Sequence, residues 1–402
     1  MITNRSIHNY EKSFERFKYN IKQLPNSQIS LQFLDHLGAL GLSVGRLVKY
    51  ASYLPVLLRI IGNTNLKELT KTDVERVVAN INSNQNKAST KHDKKLTLRK
   101  IVQYAKTGSC AKGTPLPPEV SWVSLAMKDK DSRVTPENLL TSEELISILK
   151  ATSNKRDRAM IYVLFEAALR PGELLTMSIG SVEFKESHCL ITANGKTGVK
   201  RIPLVVSCKP LMEWLEEHPY SSDPSVPLWC SLSHGHMGTQ LSYRHFREII
   251  QRSAKKANVK KSIWPYLYRH SSLTAMAKVF TECRLEQFAG WTYGSKMTRR
   301  YVHFSARDLE DAVLELHGIK SVSKNTGLIK LVDCPRCSAQ NPVGNVRCTI
   351  CGMVLDKITA LEFEETEKQK EALTQEKNVE LQSRLERLEG FISSLIASQG
   401  KT

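Results

Sequence analysis

The chain has 402 residues, 41% of them hydrophobic, with nine cysteines and a formal net charge of +18. That length bounds it to two or three domains with at least one sizeable core. An odd cysteine count without an even framework argues against a disulfide-built secreted protein, and no stretch approaches the roughly 18 apolar residues of a membrane span.

Residues 8–107 read as mostly helical. Leu31–Leu37, Leu54–Ile61 and Leu96–Val102 carry helical apolar spacing, and Thr70-Lys71-Thr72-Asp73 offers a capped helix start. Gly113-Thr114-Pro115-Leu116-Pro117-Pro118 reads as a linker, because prolines remove backbone donors and hold the chain extended. Thr141 followed by Glu144 is a capping box, with Leu145, Ile148 and Leu149 as the apolar face behind it. A helix is expected over Arg156–Leu169, stopping at Pro171-Gly172. Cys189–Ala193 and Arg201–Val206 are β-like and flank the turn Asn194–Gly198, a hairpin; helix returns after Trp264. The fold class is therefore mainly α with a small β-sheet: a helical N-terminal domain, then an α+β domain.

The tail differs. Cys334-Pro335-Arg336-Cys337 and Cys348-Thr349-Ile350-Cys351 are two Cys-x-x-Cys knuckles ten residues apart. Four thiolates at that spacing fit one tetrahedral Zn²⁺ with no spare ligand position, so the metal is expected to be structural. Leu381, Leu385, Leu388, Ile392 and Leu395 step by four and three, an a/d seam of about two heptads preceded by Asn378. Residues 356–402 carry ten acidic and seven basic side chains, a net of −3, which leaves +21 on residues 1–355. The basicity sits on the globular part, as a phosphate-tracking protein requires.

Four segments carry phosphodiester chemistry. They are Leu169-Arg170-Pro171-Gly172-Glu173, Asn194-Gly195-Lys196-Thr197-Gly198, Tyr266-Leu267-Tyr268-Arg269-His270-Ser271, and Gly290-Trp291 through Tyr301-Val302-His303. A phenol that attacks phosphorus needs cations on the non-bridging oxygens, and guanidinium forks match phosphate and stay charged. The leaving 5′ oxygen needs a proton, which a lysine can deliver. The covalent phosphotyrosine keeps the bond energy, so no nucleotide is consumed. Each residue alone has an ordinary reading: Arg170 as a surface arginine, Lys196 as a turn lysine, Trp291 as core, His270 and His303 as packing residues. Tyr293 is the rival nucleophile to Tyr301.

In this order and spacing the segments resemble the tyrosine recombinases of the phage-integrase family, over residues 8–322 and closest to its archaeal branch. The resemblance implies that Arg170 and Arg269 clamp the scissile phosphate, Lys196 is the general acid, Trp291 fills the His/Trp slot and Tyr301 is the nucleophile. It implies no catalytic metal and no nucleotide. Tyr266 departs from the pattern, since the family usually has His there and a phenol is a poor proton acceptor near neutrality. Base assistance is then weaker, or His270 or water substitutes.

The expected layout is a helical DNA clamp (1–112), a linker (113–135), the catalytic domain (136–322), a zinc ribbon (330–356) and a coiled-coil helix (360–398). The clamp and catalytic domain would close on duplex DNA as a C. Self-association into a tetramer on two DNA sites follows from the resemblance, and the expected location is cytoplasmic, at the nucleoid. Two other readings share part of the pattern: a type IB topoisomerase, and a catalytically weak zinc-ribbon DNA-binding protein, which Tyr266 alone favours.

Overall fold

The computed structural model describes residues 7, 9–126, 135–195, 198–304, 313, 317 and 328–399. Two compact units divide between residues 133 and 134. The first is helical: α1 (Tyr10–Lys22), α2 (Ser27–Ala39), α3 (Val44–Ile61), α4 (Lys71–Ser83), α5 (Ala88–Thr107) and the short α6 (Pro118–Ser121). The apolar runs seen in the sequence supply its core; Phe33, Leu34, Leu54, Leu57, Leu58 and Ile101 are fully buried. Thr70 caps α4, accepting the Asp73 N–H at 3.3 Å while Asp73 takes the Thr70 N–H at 3.1 Å.

The proline-rich stretch read as a linker is strapped to this unit. Gln103 Nε2 donates to the carbonyls of Thr114 at 2.7 Å and Pro115 at 3.1 Å, and Val120 and Val123 join the helical core. Proline lacks an N–H, but carbonyls along such a stretch still accept, so a breaker can be a strap.

The second unit opens with α7 (Ser142–Lys150), α8 (Lys155–Glu166) and α9 (Pro171–Leu175). Thr141 and Glu144 form the expected capping box, and Leu145, Ile148 and Leu149 are buried. The helix expected through Leu169 ends earlier, at Glu166. Ala168 takes φ 46°, left-handed backbone that a helix cannot continue. Pro171, expected as the stop, is the first residue of α9, where its missing N–H costs nothing.

An antiparallel sheet follows, ordered β1 (Val182–Phe184), β2 (Cys189–Gly195), β3 (Gly198–Leu204). β1 was not expected; three residues leave too little alternation to read. Gly195 pairs with Gly198, which fixes the register of the expected hairpin. The Glu166 carboxylate accepts from the backbone N–H groups of Val205, Val206 and Ser207 at 2.6–3.0 Å, tying the end of β3 to α8. Then come α10 (Cys208–Glu216), α11 (Tyr243–Lys256), α12 (Pro265–Met276), α13 (Glu282–Ala289) and α14 (Lys296–Phe304).

Two short strands, β4 (Leu331–Asp333) and β5 (Gln340–Pro342), pair antiparallel beside the cysteines, and α15 (Lys357–Gln399) ends the described chain. Leu381, Leu385 and Leu388 on α15 are all more than half exposed. The side chains of Ile392 and Leu395 lie outside the described residues. Among the described residues no helix is long and apolar enough to cross a membrane.

Candidate active site and metal centre

The corner between α8 and α9 builds the first part of the site. The left-handed Ala168 turns the chain so that Arg170 precedes α9 and Glu173 falls in its first turn. One Glu173 oxygen accepts the Arg170 backbone N–H at 2.9 Å, and the other meets the Arg170 guanidinium. Lys200 on β3 brings its Nζ within 3.0 Å of the same carboxylate, and Arg269 lies 3.9 Å away. Three cations thus converge on one anion that is 3% exposed.

Burial alone would raise the Glu173 carboxyl; Lys200 and the Arg170 backbone and side chain outweigh it and hold it below the ordinary range. Burial presses the Lys200 amine down to about 8 against the pull of Glu173. It likewise lowers Arg269 to about 10, with Arg170 adding to the effect. Arg170, Lys200 and Arg269 against Glu173 leave a surplus of positive charge in a confined volume, which a phosphodiester would complement. Gly195 permits this approach, because a Cβ there would sit 2.7 Å from a Glu173 oxygen.

Arg269 is fixed by helix-end carbonyls. It donates through one NH2 group to Ala168 O and through the other to Ala289 O at 2.9 Å. Ala168 lies just past α8 and Ala289 is the last residue of α13, so neither carbonyl has a partner within its helix. The Arg269 guanidinium also lies 5.8 Å from the Trp291 ring centre.

Tyr301, on α14, completes the cluster. It is 1% exposed, stacked on Trp291 at 5.4 Å and 19°, with its hydroxyl 2.8 Å from His270 Nδ1. Burial raises its pKa, against the opposing pull of Arg269, Arg300 and Arg170. The start of α14 is held by the buried carboxylate of Glu286, which accepts from Gly294 N at 3.1 Å, Ser295 N at 2.8 Å and Thr298 Oγ1 at 3.1 Å.

Residues 138–307 match the phage integrase family model. The matched stretch contains every residue of this cluster. Residues 138–307 form a domain of the phage integrase family. A tyrosine recombinase of Synechococcus elongatus is 32% identical over 146 residues, 35% of this chain and 44% of the relative. The chain spans less than half the length of this relative and of one from Synechocystis, where the share is 39%. Solved structures share the fold, among them the two that follow. The XerH site-specific recombinase bound to palindromic difH substrate in a post-cleavage complex aligns with TM-score 0.53 at 18% identity, covering 77% of this chain and 97% of XerH. A lambda integrase tetramer bound to a Holliday junction aligns with TM-score 0.53 at 14% identity, covering 68% of this chain and 76% of the integrase.

Within this integrase-family domain, four residues singled out from sequence come together: Arg170, Arg269, Trp291 and Tyr301. Tyr266 sits one turn before Arg269 on α12 and is 41% exposed, at the rim. Lys196 lies outside the described residues, between the paired Gly195 and Gly198. Tyr293, the rival nucleophile, is 78% exposed. Sequence reading assigned nothing to Glu173, Lys200 or Glu286, and left His270 between a packing residue and a substitute for Tyr266. Lys200 carries a readable signal: it shares strand parity with Ile202 and Leu204, so the hairpin points all three inward.

The four cysteines also converge. Cys334, Cys337, Cys348 and Cys351 place their sulfurs within 4.8 Å of one another, with Cys334–Cys351 at 3.5 Å and Cys337–Cys348 at 3.6 Å. A tetrahedral thiolate site with bonds near 2.3 Å needs sulfurs about 3.8 Å apart, so the set can hold a metal ion. Each knuckle turns on a left-handed residue, Ser338 at φ 55° and Gly352 at φ 71°; the first needs no glycine. Buried Asn341 joins the halves, accepting from Thr349 N and donating toward Cys348 Sγ. The module rests on the integrase-family domain: Tyr162 OH donates to Val343 O, Arg158 to Asn345, and Lys150 pairs with Asp356.

Proposed function

We propose that the protein is a site-specific DNA recombinase that cuts and rejoins DNA through a 3′-phosphotyrosine on Tyr301. The observation that carries this reading is buried Tyr301 stacked on Trp291, whose ring also faces Arg269, beside a cluster in which Arg170, Lys200 and Arg269 surround Glu173. Arg170 and Arg269 hold the non-bridging oxygens as charge gathers there. The Trp291 indole donates to the phosphate, and Tyr266 hydrogen-bonds it from the rim. Lys196 protonates the leaving 5′ oxygen.

In this reading double-stranded DNA is the partner, and the first helical unit clamps the duplex. Copies of the chain assemble on two DNA sites as a tetramer; a lambda integrase tetramer binds a Holliday junction. The a/d seam of α15, with Asn378 setting register, joins protomers. The Cys334–Cys351 module holds one Zn²⁺ by its four thiolates; that ion supplies folding energy and no catalysis.

The test is a randomised pool of nicked duplexes incubated with wild type and Tyr301→Phe, then denatured to isolate covalent protein–DNA adducts. The expected result is an adduct with wild type that disappears in the variant, and sequencing it gives the recombination site. No adduct on any duplex, or one that persists in Tyr301→Phe, sinks the reading. Mixing two labelled duplexes separates strand exchange from relaxation of the topoisomerase kind.

A further inference from the structure

Tyr301 must lose its phenolic proton as its oxygen bonds to phosphorus, and burial makes that loss harder. The residue whose position in the motif would serve that step is Tyr266, an exposed phenol at the rim. The nitrogen that does touch the Tyr301 hydroxyl is His270 Nδ1, at 2.8 Å, with the rings 5.9 Å apart and 25° from parallel. His270 follows Arg269 directly on α12, so the guanidinium and the imidazole are set by the same backbone.

Resting on the recombinase reading, we propose that His270 is the general base of this site, accepting the Tyr301 proton at Nδ1 while its other nitrogen carries the ring proton. The Tyr301 O–H bond breaks as the O–P bond forms, and the proton passes to Nδ1. The P–O5′ bond breaks, and the 5′ oxygen takes a separate proton from Lys196. The histidine keeps its proton as imidazolium until rejoining returns it to the departing phenol. Atoms and charges balance without any co-reactant.

The charged surroundings give this base a gate. Burial first, then Arg269 on its own helix and Arg300 on α14, lowers His270 to about 4, so it is neutral and ready to accept at neutral pH. A weak base is a poor proton acceptor until something strengthens it. A DNA phosphate bound against Arg269 would offset part of that positive field. His270 would then gain basicity with the substrate in place, and Tyr301 would stay protonated without it.

The experiment measures single-turnover adduct formation on the duplex recovered from the randomised pool, for wild type, Tyr301→Phe, His270→Gln and His270→Ala. The glutamine oxygen can accept the Tyr301 hydrogen bond but cannot hold the proton. The expected loss in His270→Gln is about 100-fold at neutral pH. Its rate should then rise tenfold per pH unit while wild type stays flat, and imidazole should partly restore His270→Ala. A His270→Gln rate within threefold of wild type, or a loss equal at every pH without rescue by imidazole, overturns the proposal. If wild type itself forms no adduct, the recombinase reading falls with it. A ¹⁵N spectrum of the full chain reads the same contact without turnover: an unprotonated Nδ1 that shifts in Tyr301→Phe is expected, and a protonated Nδ1 overturns the assignment.

Discussion

Glu173 and Glu286 are both buried carboxylates of the integrase-family domain, yet they meet partners of different kinds. Glu173 faces the side-chain cations Arg170, Lys200 and Arg269. Glu286 accepts from the backbone of Gly294 and Ser295 and from the Thr298 hydroxyl, at the start of the helix that carries Tyr301. The first sets a field; the second sets a position. A phosphate-binding pocket needs its cations fixed before the substrate arrives, because mutual repulsion would otherwise spread them. On the proposed reading, a buried nucleophile needs a firm start to the helix that carries it.

Removing each carboxylate should therefore fail differently. Glu173→Ala leaves three crowded cations without their anion, and the expected loss is about 3–5 kcal/mol of stability in urea denaturation at neutral pH. Because the folded-state pKa of Glu173 is depressed, its contribution is complete above the ordinary carboxylate value. It fades as pH falls through the lower folded value. Wild type should thus lose stability over that acidic window more steeply than the variant does. Equal acid slopes would show that the cations do not depend on Glu173.

Glu286→Ala should cost less, about 2 kcal/mol, from the loss of a helix-start acceptor. Its signature is a split: DNA affinity by fluorescence anisotropy stays near wild type while adduct formation slows. Glu173→Ala should weaken both. If Glu286→Ala lowers affinity as much as Glu173→Ala does, the division between field and position is wrong.

How much of this was legible beforehand depends on the kind of signal. Helix starts announced by a capping box, such as Thr70/Asp73 and Thr141/Glu144, were readable because the donor and acceptor sit three residues apart in one chain segment. The segments carrying Arg170, Arg269 and Tyr301 were readable only jointly, through their resemblance in order and spacing to the phage-integrase family. What escaped were pairings across the fold: Glu173 with Lys200, and Glu286 with the start of α14. No spacing rule encodes them, since each joins two elements whose approach is set by packing. The α8 boundary escaped for a different reason. Ala168 adopts left-handed backbone without being glycine, and nothing in an alanine announces that.

The smallest expected effect tests whether Glu173 matters by charge alone or by place as well. Gly195→Ala changes no charge, and Gly195 is not among the glycines with positive φ, so its backbone tolerates alanine. The added methyl would meet a Glu173 oxygen at 2.7 Å, closer than any relaxed contact. That oxygen is the tip of a side chain, but one held by Arg170, so it can yield only by lengthening its ion pair. Overpacking of this kind costs about 1 kcal/mol at its mild end. The variant should keep its fold and its acid slope while losing several-fold in adduct formation, because Arg170 shifts with its anchor. Unchanged adduct formation would mean that the pocket needs only the Glu173 charge, and that the two carboxylates differ less than their partners suggest.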